Sequence, residues 1–213
     1  MKKSAFTLLE MVLVIVVLGI LAALSMPRLD RDLKQEAADN ILSAIRYTQH
    51  LALVDDKHKF DNAKWQRRFW RIMFAQCSDG KYFYKIGSDD DMDSTSTFEQ
   101  SEAAIDPATG KIMYVANNGD CSASNVSPNI LIGKKYGVTV EDITGGGKCS
   151  GKSIGFDHLG RPHIGFSDSD KPDYSSYVSN TCIFNFTLSD GDTFTITIEP
   201  ETGYAYISDQ AGS

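Results

Sequence analysis

The chain has 213 residues, 42% of them hydrophobic, enough to bury a core in about one domain of ordinary size, which excludes global disorder. Its 21 Lys and Arg against 28 Asp and Glu leave a net charge of −7. General attraction to a phosphate backbone is therefore disfavoured, and nucleic acid is not an expected partner. The average conceals an asymmetry, because the apolar content at the amino terminus lies in a single run while the rest of the chain is polar and rich in turns.

From Phe6 to Met26 the only ionisable residue is Glu10. At ~1.5 Å per residue a helix over 6–26 spans roughly 30 Å, the hydrocarbon thickness of a bilayer, so it is expected to cross a membrane. Lys2 and Lys3 precede it. Positive charge stays on the cytoplasmic side, which directs the carboxyl-terminal bulk outward. A secretory signal peptide is the rival reading, with Ala22, Ala23 and Ser25 as small residues near a cleavage point. Glu10 argues against it, because a carboxylate in an apolar segment costs roughly 2.5 to 3.5 kcal/mol and calls for a partner.

The residues Ala5-Phe6-Thr7-Leu8-Leu9-Glu10, with a basic leader before them, an apolar run after them and Pro27 beyond, closely resemble the amino-terminal signature of type IV pilins and type II secretion pseudopilins. The resemblance implies that 1–5 is a cytoplasmic leader, cut between Ala5 and Phe6 by a prepilin peptidase. It implies methylation of the new Phe6 amine and retention of 6–26 as a transmembrane and assembly helix. Glu10 becomes the assembly contact, paired with the Phe6 amine of a neighbouring subunit. The implied partners are the peptidase, other pilin or pseudopilin subunits and an inner-membrane assembly platform. The implied location is the inner membrane, with the head in the periplasm and the subunit ending in a periplasmic or surface filament. One departure is Ala5, where the family usually has Gly; a small residue still fits, at the cost of slower processing.

Beyond Pro27 the periodicity stays helical. Ala37, Ile41, Ala44, Ile45, Thr48, Leu51 and Ala52 recur at steps of three and four. An amphipathic helix over 27–54 is expected to continue the apolar one, roughly 70 Å in all, with its second half packed on a head. Gly19 and Pro27 are its weak points and mark where a break is expected.

From Asp55 onward alternation and turns predict a β-rich head over 55–213. Trp70, Ile72 and Phe74 share one face, and Ser78-Asp79-Gly80 turns into Tyr82, Tyr84 and Ile86, a hairpin. Ser88 to Ser96, with Asp89, Asp90, Asp91 and Asp93, reads as a mobile loop. Lys111–Ala116, Ile130–Ile132, Val138–Val140 and Ser153–Phe156 are further strand candidates. Phe184, Phe186 and Leu188, then Phe194, Ile196 and Ile198, then Tyr204 and Tyr206 predict an antiparallel meander. A long helix packed on an antiparallel β-rich head is an α+β layout and again resembles the pilin fold. Phe156-Asp157-His158-Leu159-Gly160-Arg161-Pro162 and the last strands look loosely like the head of H-type minor pseudopilins and their pilus-assembly relatives, apart from insertions at Asp89–Pro107 and Asn117–Gly151.

Cys77, Cys121, Cys149 and Cys182 lie in the exported part, where an even count predicts two disulfides with three connectivities open. Nearest-neighbour pairing is preferred, Cys77 with Cys121 and Cys149 with Cys182. A zinc site competes, but no pair is spaced as Cys-x-x-Cys. Lys64, Arg67, Arg68 and Arg71, interleaved with Trp65, Phe69 and Trp70, form the one basic aromatic cluster. Such a cluster suits DNA, but a strand with a solvated basic face explains it equally. The head around it is acidic, with 9 basic and 20 acidic residues from Gln76 onward. Asp168, Asp170 and Asp173, or Asp89 to Asp93, offer oxygen ligands to calcium without an EF-hand pattern, so no cofactor is expected and calcium stays the alternative. His158 and His163 flank a Gly-Arg-Pro turn and are read as turn residues. The function expected is that of a pseudopilin or minor pilin without catalysis, serving type II secretion or a related DNA-uptake or pilus machine. The alternative is a membrane-tethered periplasmic enzyme or binding module that uses the helix only as an anchor.

Overall fold

A computed structural model of the chain describes residues 7–59, 61–93 and 97–208, with the side chains of 23–32 left aside. One helix, α1 (Leu8–Val54), leads into a head with nine strands among the described residues. The helix runs unbroken through Gly19 and Pro27, so the interruption expected there is absent. A proline removes one amide donor, and the flanking turns keep enough hydrogen bonds to hold helical geometry.

The second half of α1 packs on the head. Ala37, Ala38, Ile41, Leu42, Ala44, Ile45 and Ala52 are buried along one stripe, and the alanines let the helix approach the strands closely. Thr48 is buried too, its hydroxyl donating to the Ala44 carbonyl at 2.8 Å. That stripe crosses β1 (Trp70–Gln76), β5 (Ser153–Phe156), β8 (Thr193–Ile198) and β9 (Ala205–Ile207).

Two antiparallel sheets form the head. The first runs β2-β1-β5-β6, with β2 at Tyr82–Gly87 and β6 at Pro162–His163. The expected hairpin is β1–β2, in register from Arg71 opposite Gly87 to Gln76 opposite Tyr82. The second runs β3-β7-β8-β9, with β3 at Thr139–Val140, β7 at Cys182–Thr187, and β4 (Thr144–Gly145) also pairing with β7. Its β7–β8–β9 part is the expected meander, and in β7 buried and half-buried residues alternate as its sequence does. The sheets and helix meet around Phe74, whose ring lies 5.6 Å from Phe184 and 5.5 Å from Phe186. Each such aromatic pair adds about 0.5 to 1.5 kcal/mol beyond its buried area.

Two strand candidates are corrected. Lys111–Ala116 makes only isolated bridges, Ile112 to Ile105 and to Val126, because its neighbours bond singly and build no ladder. Ile130–Ile132 falls across a 3-10 turn, Pro128–Ile130, and the short helix α2, Ile132–Lys135. There Ser127 accepts from the Asn129 amide and proline sits in the first turn, a helix-start signal that outweighs the apolar run.

Both disulfides follow the nearest-neighbour pairing: Cys77–Cys121 with Cα atoms 5.8 Å apart and Cys149–Cys182 with 5.4 Å. The first ties the end of β1 to the long insertion, and the second ties the segment after β4 to the start of β7.

Candidate functional site

The first turns of α1 leave their side chains in the open. Leu8 is 83% exposed and Val17, among the least exposed of the run, 45%. Between them Met11, Val12, Leu13, Val14, Ile15 and Val16 all show large apolar surface, spread over every side of the helix. A helix that is apolar all round needs a membrane or a packed bundle to cover it. On this helix side chains are described from Thr7 to Ala22 and again from Leu33, and among the described residues no helix is long and apolar enough to cross a membrane. The cleavage and methylation positions, Ala5 and Phe6, lie outside the described residues.

Glu10 sits where that surface begins, and Thr7 holds it. The Thr7 amide donates to Glu10 Oε2 at 2.9 Å, the Thr7 hydroxyl donates to the same oxygen at 3.0 Å, and the Glu10 amide donates back to Thr7 Oγ1 at 3.3 Å. This reciprocal capping box turns the carboxylate toward the amino terminus. The sequence carries its signature, Thr-x-x-Glu ahead of an apolar run, which the reading of Glu10 as a filament contact overlooked.

The basic aromatic cluster is not a surface. Residues Trp65–Arg68 form a 3-10 turn and β1 begins at Trp70, so the expected strand with a solvated basic face is absent. Arg67 donates to the carbonyls of Ser169 at 3.1 Å, Asp168 at 3.2 Å and Met92 at 3.3 Å, and to Asp170 Oδ1 at 3.0 Å. Arg71 is fully buried over the ring of Phe166, and its Nη2 donates to the Arg67 carbonyl. Burial lowers its pKa to about 10 against the pull of Asp89. Arg68 bonds Asp90 Oδ1 at 3.2 Å, and Lys64 lies 3.4 Å from Asp170. All four cations thus face acidic or carbonyl oxygens of the head itself, and Arg67 and Arg71 stand out of reach of a phosphate. The stretch from Ser88 to Asp93 is a loop as expected, and 94–96 lie outside the described residues; its first residues, however, are buried, Ser88 and Asp89, Ser88 by its hydroxyl on the Arg68 carbonyl at 2.6 Å.

Of the two acidic stretches, one gathers. Asp89 and Asp91 join Glu102, which sequence reasoning did not single out, with carboxylate oxygens within 4.8 Å of one another. Glu102 Oε1 also accepts the Asp90 and Asp91 amides at 2.6 and 3.2 Å. Asp168, Asp170 and Asp173 do not converge: Asp170 turns to Arg67, and Asp173 Oδ1 accepts from Ser175 at 2.6 Å.

His163 is buried, its Nδ1 2.9 Å from Ser176 Oγ and its Nε2 3.4 Å from Asp157 Oδ2. Ser, His and Asp are the residue types of a hydrolase triad, yet Ser176 is fully buried and its hydroxyl donates to the Asp173 carbonyl at 2.7 Å. The group is a clasp between β6 and the Asp157–Gly160 turn. Asp157 accepts from the Leu159 and Arg161 amides and from Arg161 Nε at 2.7 Å. Burial pushes its pKa up, but His163 and Arg161 together hold it well below the usual carboxylate range. An open cleft of about 420 Å³ beside α1 is floored by Tyr84 and Met113. Two of its phenols are spent on the helix, Tyr136 donating to Glu36 at 3.0 Å and Tyr84 to Asn40 at 3.4 Å, and the third, Tyr47, donates to the Ile105 carbonyl at 3.0 Å.

Residues 1–26 match the family described as the prokaryotic N-terminal methylation motif. No curated protein and no solved structure matches the chain significantly. The motif closes at Met26, where the apolar run also ends in the sequence, and it encloses Thr7 and Glu10. The chain thus carries the signature of type IV pilins and pseudopilins on an α+β, pilin-like architecture.

Proposed function

We propose that the chain is a pseudopilin or minor pilin: a structural subunit cut after Ala5 by a prepilin peptidase, methylated on Phe6 and held in the inner membrane by 6–26 until it enters a filament. The reading is supported chiefly by one observation. A methylation motif over 1–26 coincides with a helix whose apolar residues from Leu8 to Leu21 stand uncovered and continue without interruption into the helix that carries the head. Lipid covers that surface first and neighbouring helices later, through packing of apolar side chains.

Glu10 supplies register. After cleavage the Phe6 amine is a cation in a poorly solvating environment, and an unpaired buried charge costs roughly 3 to 5 kcal/mol. Its counter-charge is Glu10 of a neighbouring subunit, and the partners are other pilin or pseudopilin subunits and an inner-membrane platform. The head stands in the periplasm, where both disulfides are at home, and the filament serves type II secretion or a related pilus machine. The function requires no cofactor.

Mass spectrometry of the mature chain tests the processing: the expected amino terminus is N-methyl-Phe6, and a terminus at Met1 or near Ala23 overturns the reading. Glu10→Ala tests the assembly role. It is expected to leave synthesis, cleavage and head folding intact while reducing incorporation and transport. Wild-type incorporation would instead favour a tethered module that uses the helix only as an anchor.

A further inference from the structure

The cleft beside α1 carries more negative charge than the cations around it answer. Its helix wall presents Glu36, Asp39, Ser43 and Tyr47, one stripe at steps of three and four, so the cleft follows the helix for roughly 16 Å. The opposite wall comes from the head and includes Asp106 and Lys135.

Asp106 is only 4% exposed. Burial pushes its pKa up, but hydrogen bonds from the Ser127 hydroxyl, the Ala108 amide, the Thr109 hydroxyl and the Asn129 side chain hold it below the usual carboxylate range. It is therefore an anion at neutral pH, and all four of these donors are neutral. Asp39 is exposed and accepts from Gln35 Nε2 at 2.9 Å, another neutral donor. Among the described residues no cation pairs with either carboxylate. The third acid of the cleft shows what such a pairing looks like. Lys135 Nζ lies 2.8 Å from Glu36 and 4.8 Å from the centre of the Tyr136 ring, an ammonium held between a carboxylate and a phenol face.

We propose that the cleft binds a lysine- or arginine-bearing segment of a partner protein. Long cationic side chains lay their alkyl stems on apolar surface and keep the charged head at a polar rim. Met113 and Tyr84 supply that floor and Asp39 and Asp106 supply the counter-charges. A length of roughly 16 Å takes about five residues of extended chain. The partner is a different protein rather than a second copy. From Gln76 onward the head has 9 basic and 20 acidic residues, so heads repel one another and draw basic surfaces toward them.

The test uses the full chain in detergent micelles, its methionine methyl groups labelled with carbon-13, and the peptide acetyl-Lys-Ala-Lys-Ala-Lys-amide as the probe. The peptide is expected to shift the Met113 methyl resonance saturably and to leave Met73 and Met92 in place, and its glutamate counterpart is expected to shift none of them. Asp39→Asn is expected to weaken binding about fivefold, whereas Asp168→Asn, an equal loss of charge outside the cleft, is expected to leave it unchanged. No saturable shift at Met113 overturns the site. So does equal weakening in the two variants, which marks diffuse attraction to an acidic head. A shift of Met113 that grows with protein concentration in the absence of peptide, and that Asp39→Asn abolishes, would overturn the assignment by giving the cleft to a second copy.

Discussion

Thr7 and Glu10 satisfy one another across the first turn of α1, hydroxyl and amide on one carboxylate oxygen and amide back on the hydroxyl. The carboxylate thus has an intrahelical resting place before any neighbour arrives. Removing the hydroxyl in Thr7→Ala deletes two of the three bonds, and loss of an N-cap costs about 1 kcal/mol. Amide hydrogen exchange at Glu10, measured in micelles, is expected to quicken about fivefold in Thr7→Ala and to stay near wild type in Thr7→Ser. Equal protection in both variants would show that the cap does not hold the turn.

All four head cysteines are expected to resist alkylation in denatured, unreduced protein. Cys77–Cys121 closes a separation of 44 residues and Cys149–Cys182 one of 33, each worth roughly 3 to 4 kcal/mol in the chain-entropy treatment. The double variant Cys149→Ser, Cys182→Ser is expected to lose about that much stability in denaturant melts and to raise exchange selectively at Thr144 and Gly145. Loss at Thr139 and Val140 of the same size would point to collapse of the whole sheet instead.

Asp157 gives the head an acid-sensitive joint. Its folded-state pKa lies below that of the unfolded chain, near 3.9. The stabilisation is therefore complete above that value and lost as pH falls toward the folded one. Melting temperatures between pH 6 and 2 are expected to drop more steeply for the wild type than for Asp157→Asn, which starts lower. Parallel pH profiles would remove Asp157 as the cause.

Arg67 joins two acidic loops that otherwise share no strand. Arg67→Ala leaves several part-buried acceptors without their donor and is expected to cost about 2 kcal/mol, with new protease cuts near Met92 and Asp170. Arg68→Ala, whose partner Asp90 is half exposed, is expected to cost at most about 1 kcal/mol. Similar losses in the two variants would dismiss Arg67 as the hub.

Periodicity made α1, the β1–β2 hairpin and the final meander legible, because a continuous run of apolar residues at one spacing leaves a single face to bury. Cysteine order gave the disulfides because neighbours along the chain close with the least rearrangement, even though the closed segments carry β2 in one case and β5 and β6 in the other. The basic cluster was misread because spacing says nothing about what approaches from elsewhere. Arg67 meets residues about a hundred positions away, and that encounter converts apparent surface charge into interior structure. Glu102 was missed among the acidic residues for the same reason.

The unbroken course of α1 also sets how the molecule bears force. A pull along the stem enters the head through the last turns of the helix, which lie across β1, β5, β8 and β9 together. Arg46 grips the Ala205 carbonyl there at 2.8 Å, and Gln49 grips the Thr202 carbonyl at the same distance. Tension is therefore met as shear over many contacts in parallel, which must yield at once, whereas a helix leading into a single edge strand would peel the sheet one hydrogen bond at a time.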